Sequence, residues 1–148
     1  MADRILTTNY SQRNLLIWNN RTNTITLTYT NSSGSEVALL KGMLIGRIAA
    51  SGLAKQSIST ATDGSQIPIG VLIEDVTIAD SASSNLSICI AGDVDYGMLV
   101  FGGSPADTIA SAIYTDAGAA YLGTYGDLLN GAGILPIVTT QMTYEDNQ

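Results

Sequence analysis

The 148-residue chain has no histidine, one cysteine, one tryptophan, one phenylalanine and three prolines, and no lysine or arginine follows Lys55. Without histidine the commonest general base near neutral pH is missing, and with it the Ser-His-Asp and Cys-His arrangements and most zinc sites. Cys89 is single and sits in an apolar run with no histidine to activate it, so it reads as a small core residue. The fold is expected to stand without disulfides and to be compatible with assembly in a reducing cytoplasm. No uninterrupted apolar run approaches the roughly eighteen residues a membrane helix needs, and Met1-Ala2-Asp3-Arg4 does not have the form of a secretory leader. The expectation is a soluble, unprocessed protein without a membrane partner.

Charge is distributed unevenly. The first 55 residues hold all six cations and two acids, a net +4, whereas the remainder holds eleven acids and no cation. A body this acidic repels phosphate, and the scattered arginines form no basic stripe, so nucleic acid is disfavoured as a partner. The asymmetry suggests a positive N-terminal portion that meets negative surface on a partner or on another copy of the chain. For any one arginine, a solvated surface charge is an equal alternative.

At this length one domain is the simplest organisation, large enough to bury roughly 68–70% of the unfolded surface. Residues 1–22 read as an N-terminal arm and 23–148 as the body. Residues 2–14 are polar and unpatterned. Leu15, Leu16, Ile17 and Trp18 then form an apolar cluster that either packs on the body or serves as a docking anchor. Residues 24–30, TITLTYT, alternate apolar and threonine as a strand does. Residues 37–40 are apolar, Lys41-Gly42 marks a turn or bulge, 43–48 form a further strand, and 49–62 read as a surface loop or short extended segment.

Asp63-Gly64 signals a turn, since Gly accepts positive φ and Asp can bond its own backbone two residues on. From there Ile67, Ile69, Val71 and Ile73 alternate as the buried face of a strand, with Pro68 near its start and Gly70 leaving room for a neighbouring backbone. After a polar loop at 79–85, Leu86, Ile88, Ile90 and Val94 face one way and Ser87, Cys89 and Ala91 the other, so the two runs are expected to pair antiparallel. Ser104-Pro105-Ala106-Asp107 has the form of a helix start, with Ile109, Ala112 and Ile113 on one face of the helix. Residues 118–126 read as irregular. Thr124 to Asp127 can cap a second short helix carrying Leu128 and Leu129 and closed by Asn130-Gly131. A last strand is expected over 134–144, marked as an edge by Pro136, before an acidic tail.

Carboxylates are the remaining candidates for chemistry. Asp93 and Asp95, two apart in an extended run, could offer oxygens to a hard cation, but no calcium-loop spacing surrounds them, and turn capping or a subunit contact is favoured. Glu74 and Asp75, adjacent in a strand, point apart and do not form an acid–base pair. Gly102-Gly103 and the glycines near Gly118 lack a following Lys-Ser/Thr, so a phosphate loop is unsupported. No cofactor, metal or catalytic residue is assigned.

The segment TATDGSQIPIGVLIEDV, preceded by MLIGRIAASG and followed by IAGDVD, resembles the bacteriophage head decoration proteins of the lambda gpD type. That family pairs DGSQ-x-P-x-G-x-L-x-x-D with an upstream G-x-V-L-G-x-I strand and a downstream A-G-E-x-N end. The matching residues are Gly42, Leu44, Gly46, Ile48, Asp63, Gly64, Ser65, Gln66, Pro68, Gly70, Leu72, Asp75, Ala91 and Gly92. Asp93 stands where the family usually has Glu, and Asp95 where it has Asn. GDLLNGAGI is similar to the family's short helix.

The resemblance implies a mainly β (α+β) domain with one or two short helices and an extended N-terminal arm. It also implies a homotrimeric capsid decoration, or cement, protein. Such a protein sits on the outer surface of a phage head, at threefold points between hexamers of major capsid protein, and stabilises the expanded capsid. It would be made in the host cytoplasm. Arg4, Arg13, Leu15, Leu16, Ile17, Trp18 and Arg21 are the expected capsid-binding residues. Gly46, Asp63, Gly64, Ser65, Gln66, Pro68, Gly70, Asp75 and Gly92 are the expected structural ones. The alternative is a trimeric receptor-binding or fibre-tip module, for which Tyr114, Tyr121 and Tyr125 would be the exposed aromatics. A carboxylate-using enzyme fits poorly.

Overall fold

The computed structural model describes residues 15–16, 22–115 and 120–137. Among these residues ten strands and one α-helix follow one another: β1 Asn23–Thr30, β2 Val37–Leu39, β3 Leu44–Arg47, β4 Ala54–Gln56, β5 Pro68–Leu72, β6 Val76–Ile78, β7 Ser83–Asp95, β8 Ala112–Tyr114, β9 Tyr121–Thr124, α1 Tyr125–Ala132 and β10 Ile134–Ile137. The fold is mainly β, as the sequence pattern predicts.

The main sheet runs β1-β7-β5-β3-β4, and β10 joins β7 in parallel. The other strand pairs among the described residues are antiparallel, and two small ribbons, β2-β6 and β8-β9, stand apart from the main sheet. The β5–β7 pair sets Val71 against Cys89 and Leu72 against Ile88. β1 and β4, at opposite ends of the order, approach within 8 Å Cα–Cα, so the sheet curls on itself.

This curl gives the sheet two buried faces. Leu44, Val71, Cys89 and Val94 pack with Ile113, Tyr125, Leu129 and Ile134 on one side. Ile45, Leu72, Leu86 and Ile88 pack with Leu39, Met43, Ala54 and Ile78 on the other. Neighbouring residues of β3 and β5 therefore serve different cores, and the expectation of a single buried face for β5 is corrected: Leu72 is as buried as Val71. A second correction concerns Val94, which lies in the cluster of Cys89 and not with Leu86 and Ile88. The register of β7 slips opposite Asn23/Thr24, where Ala91 and Cys89 are the successive partners, and an extra residue exchanges the faces of everything beyond it.

The helix expected from Ser104 is absent: residues 102–111 turn irregularly and Ile113 enters the core from β8. The helix expected from Thr124 is present as α1, with Tyr125 and Leu129 buried and Gly133 ending it at φ +90°. It runs through Asn130 and Gly131 to Ala132, beyond the expected stop. Glu74 and Asp75 lie between β5 and β6 rather than in a strand. The described part of the last strand, Ile134–Ile137, is a sheet edge, and the remainder of that expectation falls outside the described residues.

Candidate functional site

The DGSQ turn at residues 63–66 braces three parts of the molecule. Gly64 takes φ +96°, open to Gly at no steric cost, and Asp63 Oδ1 accepts from Ser65 N at 3.1 Å and from Ser65 Oγ at 2.5 Å. Asp63 Oδ2 receives Lys55 Nζ of β4 at 2.7 Å. The Lys55 ammonium and the Ser65 hydroxyl together hold the Asp63 carboxyl well below the usual carboxylate range. Gly46 of β3 lies beneath: a Cβ there would fall 2.0 Å from Ser65 O, so any side chain would drive turn and strand apart.

Gln66 is buried and uses both ends of its amide. Its Oε1 accepts from Gly64 N at 2.9 Å, while Nε2 donates to Thr115 O at 2.6 Å and Tyr114 O at 3.2 Å, fixing the end of β8. Its carbonyl accepts from Ser57 Oγ at 3.1 Å, and Ser57 Oγ lies 3.2 Å from Tyr125 Oη at the start of α1. Burial pushes the Tyr125 phenol up to about 12, and the nearby Asp107 charge adds to the effect. Ser57 and Lys55 could not be singled out from the sequence, because a loop serine and a surface lysine carry no pattern of their own.

The remaining motif residues act in the same structural way. Pro68 opens β5 and is buried, and Gly70 lets β7 come close, since a Cβ there would meet Ile88 Cγ2 at 2.3 Å and Cys89 O at 2.5 Å. Asp75 Oδ1 accepts from Lys41 N at 2.7 Å, tying the 41–42 turn to the exit of β5. Gly92, at φ +136°, donates from its N to Gly133 O at 3.0 Å, where β10 begins to pair with β7.

Of the residues expected to contact a capsid, the structure describes two. Leu15 is 2% exposed and belongs to the body's own core, and its carbonyl accepts from Asp95 N at 2.8 Å. Leu16 forms an antiparallel bridge with Val94 and packs against the same core. Leu15 is thus an internal anchor and not a free contact. Arg4, Arg13, Ile17, Trp18 and Arg21 lie outside the described residues.

Asp95 is buried and caps the 3₁₀ turn Tyr96–Met98, accepting from Gly97 N at 2.9 Å, the capping role favoured for it. Among the described residues no group of three or more His, Cys, Asp or Glu is placed to hold a metal. No helix among them is long and apolar enough to cross a membrane. Cys89 is buried, and burial pushes its thiol up from the ordinary value. Tyr114 and Tyr121 are exposed, but Tyr125 is fully buried, which removes it from any exposed aromatic cluster.

What the motif residues do, one after another, is hold backbone against backbone, and they define a structural β module. Over residues 5–120 the sequence matches the family described as Bacteriophage lambda head decoration protein D, and the chain belongs to that family of structural phage-head proteins. The match begins at residue 5, well before the 42–92 segment that carries the recognisable motif, and ends before α1, so the GDLLNGAGI similarity lies beyond it. No individually curated protein matches the sequence.

Proposed function

We propose that the protein works as a homotrimeric cement on the outer surface of the phage head. It would seat at the local threefold points between hexamers of major capsid protein and stabilise the expanded capsid, after synthesis in the host cytoplasm. The family match over residues 5–120 carries this proposal. A trimer touching several lattice subunits at once multiplies modest contacts by avidity, and the lattice resists expansion by packaged DNA without any chemical turnover.

Capsid contact is assigned to the arm, with Arg4 and Arg13 meeting negative surface and Ile17, Trp18 and Arg21 following at its root. Strand addition to an exposed edge of the capsid protein is the mode that suits an extended segment. Leu15 and Leu16 anchor that root to β7.

The test is co-sedimentation of the purified chain with undecorated heads, alongside a deletion of residues 2–14 that spares buried Leu15. The full chain is expected to pellet with heads and the truncated chain to stay folded in the supernatant. Equal binding by both would reject the role of the arm, and no binding by the full chain would reject the cement function. Binding to host cells in place of heads would favour the receptor-binding alternative.

A further inference from the structure

The β8–β9 ribbon leaves large side chains uncovered on both of its faces. Tyr121 is 59% exposed, its strand neighbour Leu122 39% and Tyr114 38%. Adjacent strand residues point to opposite faces, so Tyr121 and Leu122 make the ribbon apolar on each side. Tyr114 and Tyr121 meet edge to face, with ring centroids 5.7 Å apart. A two-stranded ribbon alone is marginal in water. This one is pinned by polar contacts at both ends, from Gln66 Nε2 to the carbonyls of Tyr114 and Thr115 at the turn end and from Tyr125 N to Ser111 O at 3.1 Å at the base. The aromatic pair is presented on a held support.

On the other flank of the same turn stands Arg47. Its carbonyl lies under Gly64, 3.1 Å from where a Cβ would be, and its guanidinium rests on the 48–53 turn, with Nη2 3.1 Å from the corresponding point on Gly52. The side chain is exposed and has no carboxylate partner among the described residues, whereas Lys55, next in β4 to Arg47's pairing partner Ala54, is neutralised by Asp63.

We propose that the surface around the 63–66 turn is where copies of this chain meet, with Tyr114 and Tyr121 of one copy covering Arg47 of the next. Arginine over an aromatic face gains from the ring quadrupole, more so once water is excluded, and tyrosine and arginine are the residue types that concentrate binding energy at interfaces. A second copy is the occupant because both complementary halves lie on this one chain. The half that carries the tyrosines belongs to the region without a single cation, and so attracts an unpaired arginine. The two patches differ, so the contact is head to tail. Since they flank a single turn, one rotation repeated about a nearby axis can close a ring instead of running into a filament.

This inference rests on the homotrimer proposed above. Its test is sedimentation velocity of the full chain across a concentration series, with Tyr121→Ala and Arg47→Glu, each checked by circular dichroism and thermal melting. The wild type is expected to assemble, and each variant to dissociate at concentrations about tenfold or more higher than the wild type while keeping its melt. Should Tyr121→Ala fail to fold, exposed Arg47→Glu is decisive alone. A wild type that stays monomeric, or folded variants that assemble as it does, would overturn the interface. Head co-sedimentation separates the two proposals. An assembling chain that ignores heads sinks the cement function and leaves the interface standing, whereas a head-binding chain unmoved by both substitutions does the reverse.

Discussion

Residues 104–107, Ser-Pro-Ala-Asp, and residues 124–127, Thr-Tyr-Gly-Asp, share one helix-start pattern, yet only the second begins a helix. At the second, Asp127 Oδ2 accepts from Thr124 N at 2.9 Å and from Thr124 Oγ1 at 2.8 Å, and Thr124 Oγ1 accepts from Asp127 N at 3.2 Å. These bonds hold the Asp127 carboxyl below its ordinary range. At the first, the carboxylate is taken by a distant loop: Asp107 Oδ2 accepts from Ser59 N at 2.8 Å and Oδ1 from Ser59 Oγ at 2.5 Å. The residues beyond the two starts differ as well, because Tyr125 and Leu129 bury into the core, while Thr108 and Ser111 bond each other across a turn. A local cap starts a helix only where an apolar face has somewhere to go, since a short helix is marginal without tertiary packing.

Three measurements would break or sharpen this contrast. Leu129→Ala removes the buried face of α1 and should cost about 3 kcal/mol in urea denaturation; a loss well below 1 would mean that the cap alone sustains the helix. Asp107→Ala strands the Ser59 donors in a partly buried site and should cost about 2 kcal/mol. Asp127→Ala, which removes the exposed N3 partner of the capping box, should cost less than Asp107→Ala. If Asp127→Ala proves the more damaging of these two, the assignment of Asp107 to a long-range bond is wrong.

The smallest effect concerns pH. The folded carboxyl of Asp63 lies below its ordinary value of 3.8, so the unfolded chain takes up that proton first as pH falls. Its contribution is complete above that ordinary value and is lost as pH drops through the lowered one. The pair is partly exposed, and Asp63→Asn should flatten the acid limb by less than about 1 kcal/mol between neutral and strongly acidic solution. An unchanged acid limb would show that Lys55 and Ser65 do not hold the carboxylate in solution.

The strands with a simple two-residue period, above all β1, were legible, and so were the 63–64 turn and the need for Gly at position 70. The double-sided burial of β3 and β5 was not, because an alternation read along one strand cannot reveal that the sheet curls around a second core. β6, only three residues long, carried too little pattern to stand out beside the turn that precedes it. At the site, Asp63, Gly64, Ser65 and Gln66 were recognisable as a motif, but the acceptors for Gln66 are backbone carbonyls about fifty residues on. Every residue carries such a carbonyl, so nothing in Tyr114 or Thr115 marks it as chosen. The same holds for Ser59, the partner that diverts Asp107.

β7 receives Leu16 at Val94 on one edge and β10 on the other, where Pro136 is opposite the same residue. The two ends of the described body therefore stand two strand spacings apart, about 10 Å. A linker of about three to five residues would span that gap. A circular permutant joining residue 15 to residue 137 and opened at the exposed 80–81 corner should keep every sheet pairing, and tethers hung on the two ends would tug on one and the same strand.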